Sequence, residues 1–348
     1  MKKMLLLLLV LMLALPAAMH AEEEKVLNIL TWAEYIDYDD IIAPFEQETG
    51  IRIDYSFFDS NEEMLIKLDA VDAGTYDIIL ASDYAIDIAR KQGMLRELDK
   101  GKIPNYQNIN PIYLSQYYDL DNQYTVPYVA GHPLILYDPA LVDIEIDGYE
   151  SLWDESLRDD VVLIDDARVI IGIVLKTLGE SFNVTDPELL QRAEEKLMAL
   201  KPNVRVLSYD AQHLAMISGE AAIGFMFTPA VVWVQEERDG LEVVYPKEGM
   251  GFGIDNLFIP KNAPHPDNAH LFLDFILRPE IGKAIAENQA YMCVNRASYP
   301  LLSDEFKSNP ALYIPSEVLG DTEYIEDIGT EPTAWMSTAW DKFKAALN

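Results

Sequence analysis

Trp32, Glu34 and Tyr35 follow directly on a short apolar run, Val26, Leu27, Ile29 and Leu30 around Asn28. Two aromatic rings and a carboxylate at the tip of a strand are the parts of a pocket for an organic cation. A cation over a ring face gains roughly 0.5–2 kcal/mol, and a carboxylate accepting from an ammonium group contributes about 1.5–3 kcal/mol. Similar chemistry recurs at other expected strand ends: Ser82, Asp83 and Tyr84, then Asp165 and Asp166, Phe227, Asp255 and Tyr291. The plainer alternative is that Trp32 and Tyr35 cap a core and that the acids, drawn from 59 in the chain, sit in surface loops.

The elements that must position these residues alternate. The first strand leads to a helix over Asp39–Thr49, stopped by Gly50, and Ile51–Phe57 is a second strand. Ser60 with Glu63 reads as a capping box that opens the next helix, followed by a strand over Asp77–Ala81 and a helix over Tyr84–Gln92. Tyr124–Gly131 and Pro133–Asp138 are extended and leave this first unit. A second series has strands at Asp160–Ile164, Val204–Leu207, Ala221–Phe227 and Leu241–Tyr245, with a helix over Ala167–Leu178 and another capped by Thr185 and Glu188. Phe252–Pro260 carries Asp255 and crosses back, Asp267–Asn288 is helical with a break at Pro279, and Thr333–Leu347 is the last helix, its Trp335 and Trp340 expected to pack. Strands and helices alternating at short spacing imply mostly parallel sheets covered on both faces. In such sheets ligands occupy the crevice beyond the carboxyl ends of the strands.

Lys2 and Lys3, the unbroken apolar run Met4–Leu15 and the small residues up to Ala21 make residues 1–21 an export signal, too short to span a membrane comfortably. The one cysteine, Cys293, permits no intrachain disulfide and no cysteine-rich metal site, and reads as a small buried apolar group. The formal charge of −33 argues against nucleic acid or an anionic membrane as partner, since both need basic faces. Catalytic signatures are missing: no metalloprotease spacing among the five histidines, no Gly-x-Ser-x-Gly, no Walker A, no Gly-x-Gly-x-x-Gly. Tyr117 and Tyr118 leave open a ferric-iron site as a weaker alternative.

Over nearly its whole mature length the chain resembles the periplasmic spermidine/putrescine-binding proteins of polyamine ABC transporters. The resemblance rests on Trp32-Ala33-Glu34-Tyr35, Phe45-Glu46-Gln47-Glu48-Thr49-Gly50-Ile51, Asp59-Ser60-Asn61-Glu62, Tyr76-Asp77-Ile78, Val126-Pro127-Tyr128 and Asp165-Asp166-Ala167-Arg168. Pro202-Asn203-Val204, Tyr245-Pro246-Lys247-Glu248-Gly249 and Phe275-Ile276-Leu277-Arg278-Pro279 add to it. It implies an aromatic clamp at Trp32 and Tyr35, contacts at Ser82 and Tyr84, an acid at Asp166, a central acid at Asp255 and a further contact at Tyr291. Glu34 matches an acid used by putrescine-preferring relatives. The chain departs from the spermidine-type pattern at Ala33, Val169, Phe227, Gly253 and Ile325. The loss of a carboxylate at Val169 disfavours a three-amine ligand more than a two-amine one.

The resulting expectation is an α/β, two-lobed periplasmic binding protein of the type II, Venus-flytrap kind, with mostly parallel sheets and a hinge. Residues 22–131 plus about 256–299 would form one lobe and about 132–255 plus 300–348 the other. It would be an exported, monomeric receptor, not an enzyme, needing no cofactor or metal. It would capture a polyamine in the interlobe cleft with Trp32, Glu34, Tyr35, Ser82, Asp83, Tyr84, Asp166, Phe227, Asp255 and Tyr291, and deliver it to an ABC permease. The alternatives are a receptor of the same fold for another solute and an exported enzyme.

Overall fold

The structure is a computed structural model that describes residues 24–33, 35–70, 74–209, 211–314, 318 and 322–347. The expected export signal over residues 1–21 and the candidate Glu34 lie outside the described residues. In chain order the strands are β1 (Val26–Thr31), β2 (Arg52–Phe57), β3 (Ile78–Ser82), β4 (Thr125–Gly131), β5 (Leu134–Tyr137), β6 (Val161–Ile164), β7 (Val204–Ser208), β8 (Ile223–Met226), β9 (Glu242–Val244), β10 (Gly251–Phe258), β11 (Met292–Cys293) and β12 (Glu323–Tyr324). The helices are α1 (Ala43–Thr49), α2 (Asn61–Ala70), α3 (Asp83–Lys91), α4 (Ala167–Thr177), α5 (Pro187–Leu200), α6 (Gln212–Ile217), α7 (Thr228–Glu237), α8 (Pro266–Ile276), α9 (Pro279–Gln289), α10 (Asp304–Ser308) and α11 (Thr330–Leu347).

Two sheets result. One runs β11-β4-β10-β3-β1-β2, with β12 beside β10, and the other runs β7-β6-β8-β5-β9. The α/β two-sheet reading holds, but each sheet is mixed rather than mostly parallel. The β1–β2, β1–β3, β6–β7 and β6–β8 pairs are parallel, as strand–helix alternation requires. β10 is antiparallel to β3 and β4, and β5 is antiparallel to β8 and β9. The antiparallel members include the strands that carry the chain from one sheet to the other and enter their sheet from the opposite end.

Local chemistry explains most boundaries. β1 buries Leu27, Ile29 and Leu30, while Asn28 is held by Asp77, whose carboxylate accepts from the Asn28 backbone N–H at 2.7 Å. α1 ends at Gly50, which takes the left-handed φ of 68° that favours glycine at a helix end. The capping box ahead of α2 forms as expected on one side: the Glu63 backbone N–H donates to Ser60 Oγ at 3.1 Å. Glu63 reaches back to Asp59, not to Ser60, accepting its N–H at 2.8 Å. α5 is capped by Asp186 instead of Thr185. Pro279 separates α8 from α9, because the residue before a proline is pushed out of the helical region, and Arg278 is extended with ψ 145°.

One core, with Leu27, Ile29, Phe45, Leu80 and Phe272, lies against the first sheet, and Leu30, Phe58, Met64, Ile79 and Ile86 form a second cluster there. The second sheet packs Ile135, Leu163, Ile170, Leu175 and Phe225 against Met336, Trp340 and Phe343 of α11. Trp335 and Trp340 thus pack on that core, and Trp340 Nε1 also donates to Asp165 Oδ1 at 2.8 Å. Cys293 is buried, which pushes its thiol up to about 11. No described helix is long and apolar enough to cross a membrane.

At the crossing between sheets, His132 follows β4 directly and is buried. Its ring is hydrogen-bonded through Nδ1 to the Gly251 carbonyl at 2.8 Å and stacks on Phe252 at 4.7 Å. Burial lowers its pKa to about 4, so the ring is neutral at pH 7 and donates to that carbonyl. The two crossing strands, β4 and β10, are therefore bonded to each other both by their ladder, Gly131 opposite Gly253, and by this imidazole.

Candidate functional site

A cleft of about 1690 Å³ is lined by residues from both sheets. That exceeds the ~300–1,000 Å³ of an ordinary small-molecule pocket. The carboxyl ends of β1, β3, β6 and β8 and the start of β10 bring Trp32, Tyr35, Ser82, Asp83, Tyr84, Asp166, Phe227 and Asp255 to it, and Tyr291 arrives just after α9. Nine of the ten expected residues thus border one cavity, the tenth being Glu34.

Asp255 sits beside Tyr35 and Tyr291. A β-bulge between Asp255 and Asn256, in the pairing with β4, re-aims this stretch of β10. Tyr35 donates its hydroxyl to Asp255 Oδ2 at 2.5 Å, and Ser82, opposite Asp255 in the β3 register, also hydrogen-bonds its carboxylate. The Tyr35 ring lies 5.9 Å from Tyr128 and 6.2 Å from Tyr291, and Tyr128 donates to the Tyr35 carbonyl at 3.0 Å. Burial raises the Asp255 pKa above the usual carboxylate value, and the bonds from Tyr35 and Ser82 pull it back. Burial also pushes the Tyr35 and Tyr291 hydroxyls well above theirs, so both remain donors. Tyr291 is aimed by Ala290, which takes φ 51° at the end of α9, and it passes so close to Gly131 that a Cβ there would meet its ring at 2.7 Å.

Asp166 caps α4, accepting from the Val169 N–H at 2.9 Å, and burial raises its pKa. Val169, which stands where a second carboxylate would be expected from the resemblance, offers only this backbone group. Tyr84 donates its hydroxyl to Glu62 Oε1 at 3.1 Å. Asp83 behaves differently from the expected ligand contact: it is 2% exposed and accepts from the Tyr84 and Ile254 backbone N–H groups at 2.7 and 3.2 Å. Its carboxylate fastens α3 to β10 beside Asp255.

An aromatic chain spans the cleft. Trp32 lies edge-on to Phe58 at 4.4 Å and stacks at 6.4 Å on Tyr209, which meets Phe227 at 5.8 Å. Trp32 belongs to the side of the first sheet, Tyr209 and Phe227 to that of the second. Tyr209 and Glu62 are the residues that sequence reasoning did not single out for this site. Tyr209 directly follows β7, so the strand-end rule applied to Trp32 would have found it. Tyr117 and Tyr118 do not line the cleft: Tyr118 is bonded to Asn256 at 3.2 Å and Tyr117 packs edge-on against it. Among the described residues, no group of three histidine, cysteine, aspartate or glutamate side chains could hold a metal ion. Acceptor oxygens, phenol donors and ring faces suit an elongated cation with apolar methylenes between charged ends.

The chain is 34% identical over 330 residues, 94% of each chain, to the spermidine/putrescine-binding periplasmic protein of Salmonella typhimurium. It is 29% identical over 346 residues, 93% of each, to the putrescine-binding periplasmic protein PotF of Escherichia coli. Among solved structures, the spermidine/putrescine ABC transporter substrate-binding protein PotD of Streptococcus pneumoniae superposes with a TM-score of 0.81 at 33% identity, covering 93% of this chain and 99% of that one. Residues 40–314 match the family model for bacterial extracellular solute-binding proteins, and the chain belongs to that family.

Proposed function

We propose that this protein captures polyamines, putrescine slightly ahead of spermidine, in its interlobe cleft and delivers them to an ABC permease. The observation that carries the reading is Asp255, a half-buried carboxylate set among Tyr35, Ser82 and Tyr291 with no lysine or arginine ion-pair partner among the described residues. An ammonium group supplies the missing charge, and the faces of Trp32, Tyr35, Tyr84, Phe227 and Tyr291 suit the methylenes between amines. Asp166 takes a second ammonium, and Ser82 and Glu34 add polar contacts. Asp83 acts through β10. The preference for a two-amine ligand rests on Val169, which leaves the second side of the cleft with one carboxylate fewer than the spermidine-type pattern.

The two sheets serve as the cores of two lobes. Residues 22–131 and about 256–299 form one and the intervening residues with 300–348 the other, except that the strand carrying Asp255 pairs in the first sheet from Gly251 onward. Closure about β4 and β10 buries the ligand. The reading makes the chain a monomeric, exported, periplasmic binding protein with no catalytic step and no nucleic-acid partner. Calorimetry with putrescine, spermidine and arginine tests it: saturable binding of a polyamine is expected, and no binding of any amine at millimolar concentration overturns it.

A further inference from the structure

We propose that Glu62 is a ligand residue of this cleft, holding together with Asp166 the ammonium at the end of the ligand remote from Asp255. The inference rests on the polyamine reading and adds to it the acid for the second amine.

The path along the cleft starts at Asp255, whose β-ladder partner is Ser82, and continues two residues on to Tyr84. There Tyr84 donates its hydroxyl to Glu62, the second residue of α2 on the first-sheet side. Asp166 comes from the opposite side as the N-cap of α4, close enough that its charge and that of Glu62 both act on the Tyr84 hydroxyl. Two helix N-termini, each carrying an acid, therefore converge on one phenol from the two sides of the cleft. The positive end of α4 faces the Asp166 carboxylate, while burial and the charge of Glu62 raise its pKa.

Neither acid has a lysine or arginine ion-pair partner among the described residues. The charge of Arg168 acts on Asp166 without a direct ion pair: its guanidinium donates to the Phe182 and Glu326 carbonyls and to Asn183 Oδ1, at 2.9–3.0 Å. Asp166 accepts from the backbone N–H groups of Val169 and Arg168 and lines the cleft. An ammonium has three donors and no acceptor. Two carboxylates from opposite sides and the oxygen of Tyr84 match those donors, and one positive charge relieves the repulsion.

The test is a comparison of ligands as well as variants. Putrescine and 4-amino-1-butanol, which replaces one ammonium by a hydroxyl, are titrated calorimetrically into wild-type protein, Glu62→Gln and Tyr84→Phe. Wild type is expected to prefer the diamine by about tenfold or more, the size of one charge-assisted bond. Glu62→Gln is expected to lose most of that preference, weakening putrescine about tenfold and the amino alcohol less than about twofold. Tyr84→Phe, which removes a neutral oxygen but leaves both carboxylates in place, is expected to lower the diamine preference less than Glu62→Gln does. Loss of both ligands alike in Glu62→Gln, or of neither while wild type binds putrescine, overturns the assignment. Equal loss of preference in Tyr84→Phe also overturns it, since Glu62 would then only position the phenol. Wild-type protein that binds no amine overturns the polyamine reading itself, and this assignment with it.

Discussion

Replacing Asp255 by asparagine separates the cost of the binding site from its use. In the unliganded protein this carboxylate is enclosed by Tyr35, Ser82 and Tyr291, and burial raises its pKa; only the bonds from Tyr35, at 2.5 Å, and from Ser82 favour its charge. A group whose folded pKa lies above its unfolded value binds protons more tightly when folded. Its contribution to stability is therefore greatest at low pH and is lost as pH rises through the folded pKa. At pH 7 the ionised Asp255 is a liability that asparagine removes while keeping an oxygen for Tyr35. Asp255→Asn should thus melt at or above wild type without ligand. With putrescine the order reverses. One charge-assisted hydrogen bond to the ammonium is worth about 1.5–3 kcal/mol, so affinity should fall about ten- to hundredfold. Differential scanning fluorimetry with and without putrescine, paired with calorimetry, reads both effects. Affinity within about threefold of wild type, far less than one such bond is worth, would show that Asp255 does not grip an amine. A large drop in the unliganded melting temperature would show that its charge is structurally required.

Four further outcomes are expected. Because burial raises the pKa values of both Asp255 and Asp166, and an ammonium binds their ionised forms, putrescine affinity should decline as pH falls from 7 toward the carboxylate range, with proton release visible as buffer-dependent binding enthalpy. Trp32→Leu should cost about two- to thirtyfold in affinity, the range of one cation–ring contact, with quenching of the ligand-induced tryptophan signal. Gly131→Ala should displace the Tyr291 ring, 2.7 Å from the new Cβ, and weaken binding more than it lowers the melting temperature. Ala290→Gly should stabilise the unliganded protein by about 1 kcal/mol in denaturant titration, since Ala290 holds a φ of 51° that glycine adopts freely.

The strand-end residues were legible because their signal is local. Trp32, Ser82, Asp166 and Phe227 each stand within one or two residues of where an apolar run stops, and a strand that stops in an α/β sheet stops at the crevice. What the sequence did not disclose depends on pairing between distant segments. Asp83 reads like its neighbours, yet it is committed to the Ile254 N–H across 171 residues. Glu62 stands in the sequence only as part of a motif, with no strand end beside it, and the bond from Tyr84 is what ties it to the cleft. The mixed sheets were missed for the same reason: helix–strand alternation reports that parallel units exist, whereas the direction of β4, β5 and β10 is set by where the chain crosses. Thr185 lost the cap of α5 to Asp186, a one-residue contest between two good capping residues that composition alone does not decide.

The joining of β4 to β10 by their ladder and by His132 fixes which contacts can move the lobes. Asp255 lies two residues along β10 from the Gly131–Gly253 pair, so it sits almost on the pivot and is displaced little when one lobe turns against the other. A group at the pivot meets the ligand equally well whether the lobes are apart or together, and a ligand shifts a conformational equilibrium only through interactions that differ between its states. On the proposed polyamine reading, Asp255 therefore sets how tightly the amine is held but not how far the population moves. On the same reading that shift belongs to groups away from the pivot, the Asp166 carboxylate and the Tyr209 ring, whose distances to ligand held on the first lobe change as the lobes turn.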